Sequence, residues 1–462
     1  MRRSLLFAAV ALAALPSLSA RAHIGSHEVR VRNNYFDPQQ LRIDVGETVT
    51  WRVIEGGHTV TAEDGRFDFH SNRLLNQGEA VQHTFTENET LYYHCKVHRG
   101  NMFGVIIVGT GSTPPPPSDD PPEIRSVPSA FPTIPAALED APAGTRIELA
   151  SGLYHESVRV TTPGVEIVGI GSGPGAVSIE GASSRGIGIS IQADGVTIRN
   201  LSVRKHTFAG IVALGAARVT IQDVRAELND RFGIRAEGVR GLTIRDSYAS
   251  GHDTAGFSVD ACEGCDGLLE RVTAQRNLAG FSGVNASGLV VRDSTFTDNA
   301  TGIALRSVPL RDTTIQLDAP QRGAHIYGNT IADNTNASVK PPPLSGQLDI
   351  PTGTGVWLDG SRLDVVEANT IKGHRFGIAV TGILGPSFSH RLVANTIASS
   401  TEADLAWDGV GADVCFTGNA GPGGGEPTSQ PPHIQTLYDC ALPVSAGLPW
   451  PSVTLALLSG GA

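Results

Sequence analysis

Basic residues are scarce in this sequence relative to acidic ones. The 462 residues include 35 Lys and Arg against 46 Asp and Glu, which gives a formal net charge of −11 at pH 7. A nucleic-acid backbone is bound mainly through clustered positive charge. The composition therefore predicts that nucleic acid is not a partner.

Long apolar runs are also lacking. The stretch from Leu5 to Leu15 is too short to span a bilayer comfortably, and Pro16 follows it. Two arginines precede this stretch and an Ala-Arg-Ala sequence ending at Ala22 follows it, which is the order of a secretory signal peptide. We expect cleavage after residues 1–22, a periplasmic or secreted protein, and no membrane span after cleavage. Loss of three arginines would take the formal charge from −11 to −14.

Methionine and cysteine are rare, with two and five residues respectively. After signal cleavage, Met102 would be the only methionine. Four cysteines form two local pairs, which we expect to be disulfides in an exported protein: Cys262 with Cys265, and Cys415 with Cys440. The first pair could instead be a redox dithiol or half a zinc site, but no helix N-terminus or further ligands accompany it. Cys95 is left over.

A segment with no hydrophobic residue to bury divides the chain. It reads GTGSTPPPPSDDPP, and its prolines favour an extended spacer. We place the linker at 110–122 and an N-terminal domain at 23–109. Short runs in that domain in which apolar and polar residues alternate, such as Thr48 to Val53, predict a small all-β sandwich.

The chain after the linker repeats at steps of 21 to 26 residues. A β-branched segment such as GVTIRN recurs, followed by a glycine and an apolar residue. This period, without helical segments, predicts a parallel β-helix of about ten coils at 123–410. Leucine-rich repeats share the period, but their leucine spacing is missing. Residues 411–462 are expected to form a C-terminal extension held by a disulfide.

Asparagine or aspartate recurs just after the first strand of many coils. We expect these side chains to satisfy turn backbone groups on the neighbouring coil, at Asn200, Asp223, Asp246, Asp293, Asn329, Asn369 and Asn395. The opening FPTIPAALEDAPAGTRIELASGLYHESVRV and the repeats resemble pectate-lyase-like β-helix proteins. This resemblance implies a right-handed solenoid, with a short helix from Ile134 to Glu139 capping its open apolar end.

Cys95 lies beside two other metal-binding side chains, in the motif Cys95-x-x-His98-x-x-x-Met102. A copper ion that exchanges one electron favours a thiolate, two imidazoles and a weak thioether. The motif supplies three of these ligands, and His58 in GGHTV offers the second imidazole. The alternatives are a buried free thiol, a disulfide to a distant cysteine, or a Cys–His nucleophile, for which no orienting third residue is evident.

These residues make the N-terminal domain resemble the plastocyanin and azurin type of blue copper proteins, the cupredoxins. FDPQQLRIDVGETVTWRV is similar to their early strands, and FTENETLYYHCKVHRGNMFGVIIV to their closing ligand loop. The resemblance implies a Greek-key β-sandwich, electron transfer to a redox partner through the edge of His98, and one type 1 copper held by His58, Cys95, His98 and Met102. His58 is preceded by VIEGG, without the asparagine that many relatives carry before this histidine, so hydrogen bonding to the Cys95 sulfur is expected to differ.

Two other histidines could bind copper. In copper nitrite reductases and multicopper oxidases a histidine like His94, beside the type 1 cysteine, binds a second centre. That arrangement needs a second cupredoxin domain or a subunit interface, and the sequence contains one such domain, so a solvent-facing His94 is favoured. His23 would be the mature N-terminus and could chelate copper through its amine and imidazole. This site is disfavoured because chain ends are usually poorly ordered.

In successive coils, charged and polar residues also cluster between the β-branched segment and the glycine-apolar pair that follows it. If these turns stack, they form a stripe that could bind a glycan, comprising Lys205, His206, Asp230, Arg231, His252, Asp253 and Arg276. A solvated turn ladder is the favoured alternative, because such residues suit turns, no compact acid–base motif is present and aromatic residues are few.

Together these features predict an all-β protein with a cupredoxin-like Greek-key β-sandwich followed by a right-handed parallel β-helix. We expect an exported electron carrier rather than an enzyme, whose β-helix docks to a partner or polysaccharide. One alternative is a polysaccharide lyase, epimerase or hydrolase with an accessory copper domain. Another is copper delivery, since a β-helix is also used by a periplasmic protein associated with nitrous oxide reductase maturation.

Overall fold

The computed structural model describes residues 26–32, 35–37, 40–62, 67–69, 73–86, 89–96, 103–108, 122–308, 320–339, 350–442 and 446–459. His98, Met102, the predicted signal peptide with His23, and all but the last residue of the predicted linker lie outside these ranges. The chain divides into two compact units, Met1–Thr110 and Gly111–Ala462.

The first unit is a β-sandwich of nine strands in the described ranges: β1 Ser26–Arg32, β2 Tyr35–Asp37, β3 Gln40–Ile43, β4 Thr48–Val53, β5 Val60–Ala62, β6 Asp68–Phe69, β7 Ala80–Thr84, β8 Glu89–His94 and β9 Phe103–Val108. One sheet has the order β2-β1-β4-β7, and the other has the order β3-β9-β8-β5-β6. Two pairings between strands distant in sequence, β1 with β4 and β3 with β9, are parallel. This arrangement confirms the predicted cupredoxin-like sandwich.

Apolar residues from both sheets fill the space between them. Val49, Trp51 and Val53 alternate along β4 and are fully buried. The Trp51 ring packs edge-on against Tyr93 of β8, with 5.3 Å between ring centroids. Alternation along a strand places these side chains on one face, so the same pattern that identifies the strand also builds the core.

The second unit is a parallel β-helix built from two long sheets. The eleven-stranded sheet contains one strand per coil: β13 Val158–Val160, β16 Ile187–Ile191, β18 Ala209–Leu214, β20 Phe232–Glu237, β23 Ala255–Cys262, β26 Ala279–Ala286, β29 Thr301–Arg306, β32 Thr354–Asp359, β35 Phe376–Thr381, β39 Ala403–Trp407 and β42 Ser429–Gln430. The described pairings in this sheet are parallel, as predicted.

The other long sheet has twenty strands: β10 Ile124–Val127, β11 Arg146–Leu149, β12 Gly152–Tyr154, β14 Glu166–Gly169, β15 Val177–Glu180, β17 Thr197–Arg204, β19 Thr220–Glu227, β21 Thr243–Arg245, β22 Tyr248–Ser250, β24 Gly267–Glu270, β25 Thr273–Gln275, β27 Leu289–Arg292, β28 Thr295–Thr297, β30 His325–Tyr327, β31 Thr330–Ala332, β33 Val365–Glu367, β34 Thr370–Lys372, β37 Arg391–Val393, β38 Thr396–Ala398 and β41 Cys415–Thr417. A small parallel pair joins β36 Ser387–Phe388 to β40 Gly411–Ala412. Parallel pairing thus continues beyond residue 410, into the region predicted as an extension.

Three α-helices lie in the described part of this unit: α1 Ile134–Leu138, α2 Ile434–Leu437 and α3 Pro451–Ser459. Two short 3₁₀ turns occur at Pro174–Ala176 and Pro422–Gly424. Helix α1 is one residue shorter than predicted; Thr133 caps it and its Ile134 joins the solenoid core. Within the described ranges, no helix has the length and hydropathy of a membrane span.

The interior of the solenoid consists of stacked apolar side chains. Ile198, Ile221 and Ile244 lie opposite one another on successive coils, and all three are fully buried. Both predicted disulfides are present, Cys262–Cys265 within one turn and Cys415–Cys440 across the last coil. In-register stacking of like residues gives each coil the same buried surface as its neighbours.

The predicted ladder of asparagines and aspartates divides into two sets. Asn329, Asn369 and Asn395 are buried, and each side chain spans two coils through its carbonyl oxygen and amide group. The remaining four residues occupy left-handed turn positions with φ of 51–54°, at Asn200, Asp223, Asp246 and Asp293. Asparagine and aspartate tolerate that backbone conformation better than most residues.

Replacement of Asn369 by alanine is expected to destabilise the β-helix by about 2–4 kcal/mol. The substitution would leave the backbone amide of Asn329 and the carbonyl of Ile326 buried without their present partners. Thermal and denaturant unfolding of the purified protein would measure this loss. The matched control is Thr370→Ala at the exposed next residue, for which we expect less than about 0.5 kcal/mol. Equal effects of the two substitutions would contradict the ladder's role.

Candidate metal centre and charged sheet face

The fold brings His58 and Cys95 together in the interior of the β-sandwich. Strand β5 pairs antiparallel with β8, with Thr61 opposite His94. This register places the segment before β5 beside the segment after β8. The Nδ1 atom of His58 lies 3.8 Å from the Cys95 Sγ atom. The two residues are 1% and 0% exposed, so both donor atoms are screened from solvent.

Burial affects the protonation of this pair. It lowers the pKa of His58 below its ordinary value, while Glu55 partly opposes the shift. The imidazole is therefore held in the neutral form, which is the form that binds a metal. Cys95 forms no disulfide within the described residues.

Thr59 supplies two hydrogen bonds to the Cys95 sulfur. Its backbone N–H donates to Sγ at 3.4 Å, and its hydroxyl donates to the same atom at 3.8 Å. The hydroxyl oxygen also accepts a hydrogen bond from the Lys96 amide at 2.8 Å. The sequence reasoning predicted altered hydrogen bonding here but missed Thr59, although its place directly after His58 was a usable signal.

The two described donors fit a soft metal ion. A nitrogen and a sulfur bound to one ion at about 2.0 and 2.3 Å lie roughly 3.5–4 Å apart, which matches the observed 3.8 Å. An imidazole and a thiolate are ligands that copper prefers. In the described ranges, no group of three or more His, Cys, Asp or Glu side chains is arranged to hold a metal, and the predicted set places only two of its members there.

Two histidines of the predicted glycan stripe lie inside the solenoid rather than on its surface. His206 and His252 are 0% exposed. The His252 ring nitrogens lie 2.7 Å from the carbonyl oxygen of Asn229 and 3.1 Å from that of Ala226. They belong to an interior ladder that continues through Asn277, Asn299, Asn334 and His374. Neither histidine can contact a glycan outside the coil.

The other stripe residues remain at the turns. Asp230, Asp253 and Arg276 are exposed, and Lys205 and Arg231 are partly buried. The Lys205 ammonium pairs with Glu180 at 2.5 Å. Loss of hydration at the turn raises the pKa of Asp253, and the neighbouring Asp230 charge adds to the shift. The stripe is therefore split between a buried ladder and solvated turns, so its seven residues do not form one surface.

A different charged cluster lies on the outward face of the eleven-stranded sheet. Glu237 of β20, Asp260 of β23, Arg306 of β29 and Asp359 of β32 occupy one row across the strands. Arg235 joins Glu237 and Asp260 through contacts of 3.0 and 2.9 Å. We call these five residues the charged face. The sequence pattern did not predict this cluster, because its residues alternate with the buried residues that identified the repeat.

Arg306 is the exceptional member of the charged face. It is 9% exposed, and its guanidinium carbon lies 5.7 Å from the centroid of the Trp357 ring. Within the described part of the chain, its Nε has no hydrogen-bond partner and no carboxylate lies within 4 Å of it. Asp260 and Asp359 are engaged elsewhere, by Arg235 and by Thr381. Burial lowers the pKa of Arg306 and raises the pKa of Asp359 to about 6.

Comparison with known families identifies both folded regions. Residues 26–109 match the family of copper binding proteins of the plastocyanin/azurin type, and residues 176–316 match the right-handed β-helix region family. The first unit therefore contains a plastocyanin/azurin copper-binding domain, a family that implies type 1 copper. The second unit contains a right-handed β-helix.

Individual relatives cover one region each. A halocyanin from Natronomonas pharaonis is 39% identical over 77 residues, which are 16% of this chain and 47% of the halocyanin. The chain thus spans about half the length of this relative. The A-module of Azotobacter vinelandii mannuronan C-5 epimerase AlgE4 is 19% identical, with a TM-score of 0.49 over 63% of this chain and 84% of that one. A purple cupredoxin from Nitrosopumilus maritimus is 24% identical, with a TM-score of 0.16; the match covers 18% of this chain and 99% of that cupredoxin.

Replacement of His252 by asparagine is expected to reduce the acid sensitivity of the β-helix. Burial lowers the pKa of His252 to about 4. The unfolded chain takes up this proton below about pH 6.5, so stability is complete above that pH and falls as the pH decreases toward 4. The substitution would remove about 3 kcal/mol of that loss, and asparagine already occupies the adjoining ladder positions.

Unfolding midpoints at pH 7 and pH 4.5 would measure the effect. Thr254→Ala is the control for general perturbation of this turn, at a partly buried residue two positions away whose hydroxyl is buried without a hydrogen-bond partner in the described part of the chain. An acid-induced loss in His252→Asn as large as in the unmodified protein would contradict the assignment of a buried, neutral histidine.

Proposed function

We propose that this protein is an exported single-electron carrier whose β-sandwich holds one type 1 copper through His58, Cys95, His98 and Met102. The observation that supports this most strongly is the buried pair of His58 and Cys95, with donor atoms 3.8 Å apart in a domain of the plastocyanin/azurin type. When bound, copper supplies reversible one-electron oxidation and reduction.

The chain's own residues prepare the site for this chemistry. Burial keeps the His58 imidazole neutral and available as a ligand. Thr59 donates to the Cys95 sulfur, which stabilises negative charge there. The surrounding core, including Trp51 and Tyr93, excludes water and fixes the strands that carry both residues. A fixed and dry ligand set keeps rearrangement small between oxidation states.

The proposed setting follows from the sequence. The N-terminal segment indicates export to the periplasm or beyond, and a redox partner protein would exchange electrons at the sandwich. The β-helix would dock the carrier to that partner or to a polysaccharide. Copper delivery is the competing role for the same site, and it requires easy metal loss. Retention of copper against a competing chelator would therefore favour electron transfer.

Substitution of Cys95 by serine is expected to abolish the intense visible band of the oxidised copper-loaded protein. That band requires a thiolate bound to copper, and serine cannot supply one. Absorption spectra of the unmodified and substituted proteins would test this. His58→Asn should weaken or shift the band, whereas His27→Asn, at a partly buried histidine paired with Glu47 in the same domain, should leave it unchanged. Copper uptake without a thiolate band would contradict the proposed site.

The charged face supports a second candidate function, binding of an acidic polysaccharide by the β-helix. A carboxylate-bearing sugar would give the Arg306 guanidinium an ion-pair partner, which its planar N–H groups can bind in bidentate fashion. Burial raises the pKa of Glu237, a property that a general acid would need for lyase, epimerase or hydrolase chemistry. An enzymatic role would rest on these residues rather than on the turn stripe.

Arg306→Met separates this candidate from a purely structural role. Removal of a buried charge without an ion-pair partner is expected to leave the stability unchanged or increased. Affinity for a uronic-acid polymer, measured by calorimetry, should fall at least about tenfold if the guanidinium contacts the sugar carboxylate. Arg276→Met, at an exposed turn residue, is the matched control. Unchanged affinity in Arg306→Met, or no binding by the unmodified protein, would reject this candidate.

A further inference from the structure

Helix α3 packs on the outward face of the eleven-stranded sheet. Its Val453 and Leu457, four residues apart on one side of the helix, are 0% and 1% exposed and belong to a buried apolar cluster. The sheet contributes to this cluster residues that alternate along their strands with residues of the solenoid interior: Ala304, Trp357, Ala379 and Ala406. Helix α3 therefore covers part of the same face that carries the charged residues.

A side-chain contact places α3 at the continuation of the row that holds Arg306. That row runs from Arg306 to Asp359 and Thr381 on the next two strands. Asp408 directly follows β39, which is the strand after those. The Thr454 hydroxyl of α3 donates to the Asp408 carboxylate at 2.9 Å. A chain bound at Arg306 and running along this row would therefore meet α3.

The arginine that an acidic chain could use next lies on the α3 side of Arg306. On the opposite side, Arg235 is already engaged by Glu237 and Asp260 at 3.0 and 2.9 Å. On the α3 side, the Arg375 guanidinium carbon lies 5.8 Å from the centroid of the Phe376 ring, which belongs to the apolar cluster under α3.

The acidic groups on the α3 side are compensated. Asp359 and Asp408 both accept hydrogen bonds from backbone amides of the loop residues that follow strands β35 and β39. Glu402 lies 3.7 Å from Arg375 and is 41% exposed, so its attraction is screened by solvent. These carboxylates leave Arg375 able to bind a further anion.

The last turn of α3 occupies Arg375 in place of such an anion. The Arg375 guanidinium donates to the carbonyl oxygen of Ala456 at 2.8 Å. Carbonyl groups in the last turn of a helix have no partner within the helix and carry partial negative charge. A carboxylate carries a full charge and can bind the guanidinium through two hydrogen bonds. It would therefore compete well for the same arginine.

Helix α3 is attached more weakly than the coils beneath it. Among its described side chains, Val453 and Leu457 are buried, and the contacts with Asp408 and Arg375 add two hydrogen bonds. The coils are joined instead by continuous parallel pairing in two long sheets. A nine-residue helix is not stable by itself in water. Release of α3 would thus unfold the helix and leave the solenoid intact.

We propose that α3 is an autoinhibitory cover of the charged face. It occupies the part of the face into which an acidic polysaccharide bound at Arg306 would extend. Its release frees Arg375 to bind a second sugar carboxylate. This inference rests on the second candidate function, polysaccharide binding by the β-helix, and is independent of the copper site.

Binding of polygalacturonate to the full-length protein, measured by calorimetry, would test the proposal. Val453→Ser combined with Leu457→Ser removes the buried apolar contacts of α3, and Ala456→Pro breaks the helix itself. Both variants are expected to bind the polymer at least about tenfold more tightly, because a second charge-assisted pair becomes available. Ser452→Ala, at an exposed residue of the same helix, is the matched control and should bind as the unmodified protein does. Addition of Arg375→Met to Ala456→Pro should cancel the gain.

The outcomes separate the cover from the binding face. Faster hydrogen exchange of the amides of residues 451–459, with an unchanged unfolding midpoint, is expected in both variants. If the unmodified protein binds the polymer through Arg306 and neither variant binds it more tightly, the cover is wrong while the second candidate function stands. If the gain survives Arg375→Met, the role of Arg375 is overturned. If the unmodified protein does not bind the polymer, the second candidate function and this inference fail together.

Discussion

Parallel, in-register pairing between coils is the constraint on which the β-helix depends. Each interior side chain lies above its equivalent on the next coil, roughly 4.8 Å away. A position inside the coil must therefore hold a side chain that packs on a copy of itself or forms hydrogen bonds with it. Isoleucine satisfies the first requirement, as at Ile198 and Ile221, and asparagine satisfies the second, as at Asn369 and Asn395.

The sandwich is governed by a different constraint, the register between two antiparallel strands. Pairing of β5 with β8 brings residues 58 and 59 beside 95 and 96, although they are far apart in the chain. Two donors to the sulfur come from the backbone and the side chain of one residue on the facing segment, Thr59. Local strand geometry thus creates the described part of the surroundings of Cys95.

Sequence patterns predicted the parts of the molecule that depend on repetition or on rare residues. The period in the low twenties identified the coils, and the isolated Cys95 identified the candidate centre. The direction of individual side chains was less accessible, because His206 and His252 occupy turn-like sequence positions yet point inward, where asparagine stands on other coils. Arg306 and its neighbours alternate with the apolar core residues along their strands. The repeat period therefore predicts that these positions lie on the outer face, but it does not show that their charged side chains form one cluster.

The two ends of the solenoid differ from its middle in a way that bears on self-association. A stack of parallel strands would ordinarily present an open edge at each end, which another copy could extend. At one end, helix α1 places Ile134 and Ala137 over the apolar interior. At the other, β42 is only two residues long, and α2 buries Ile434 in the same core. Short or covered edges give another copy little template for end-to-end strand pairing.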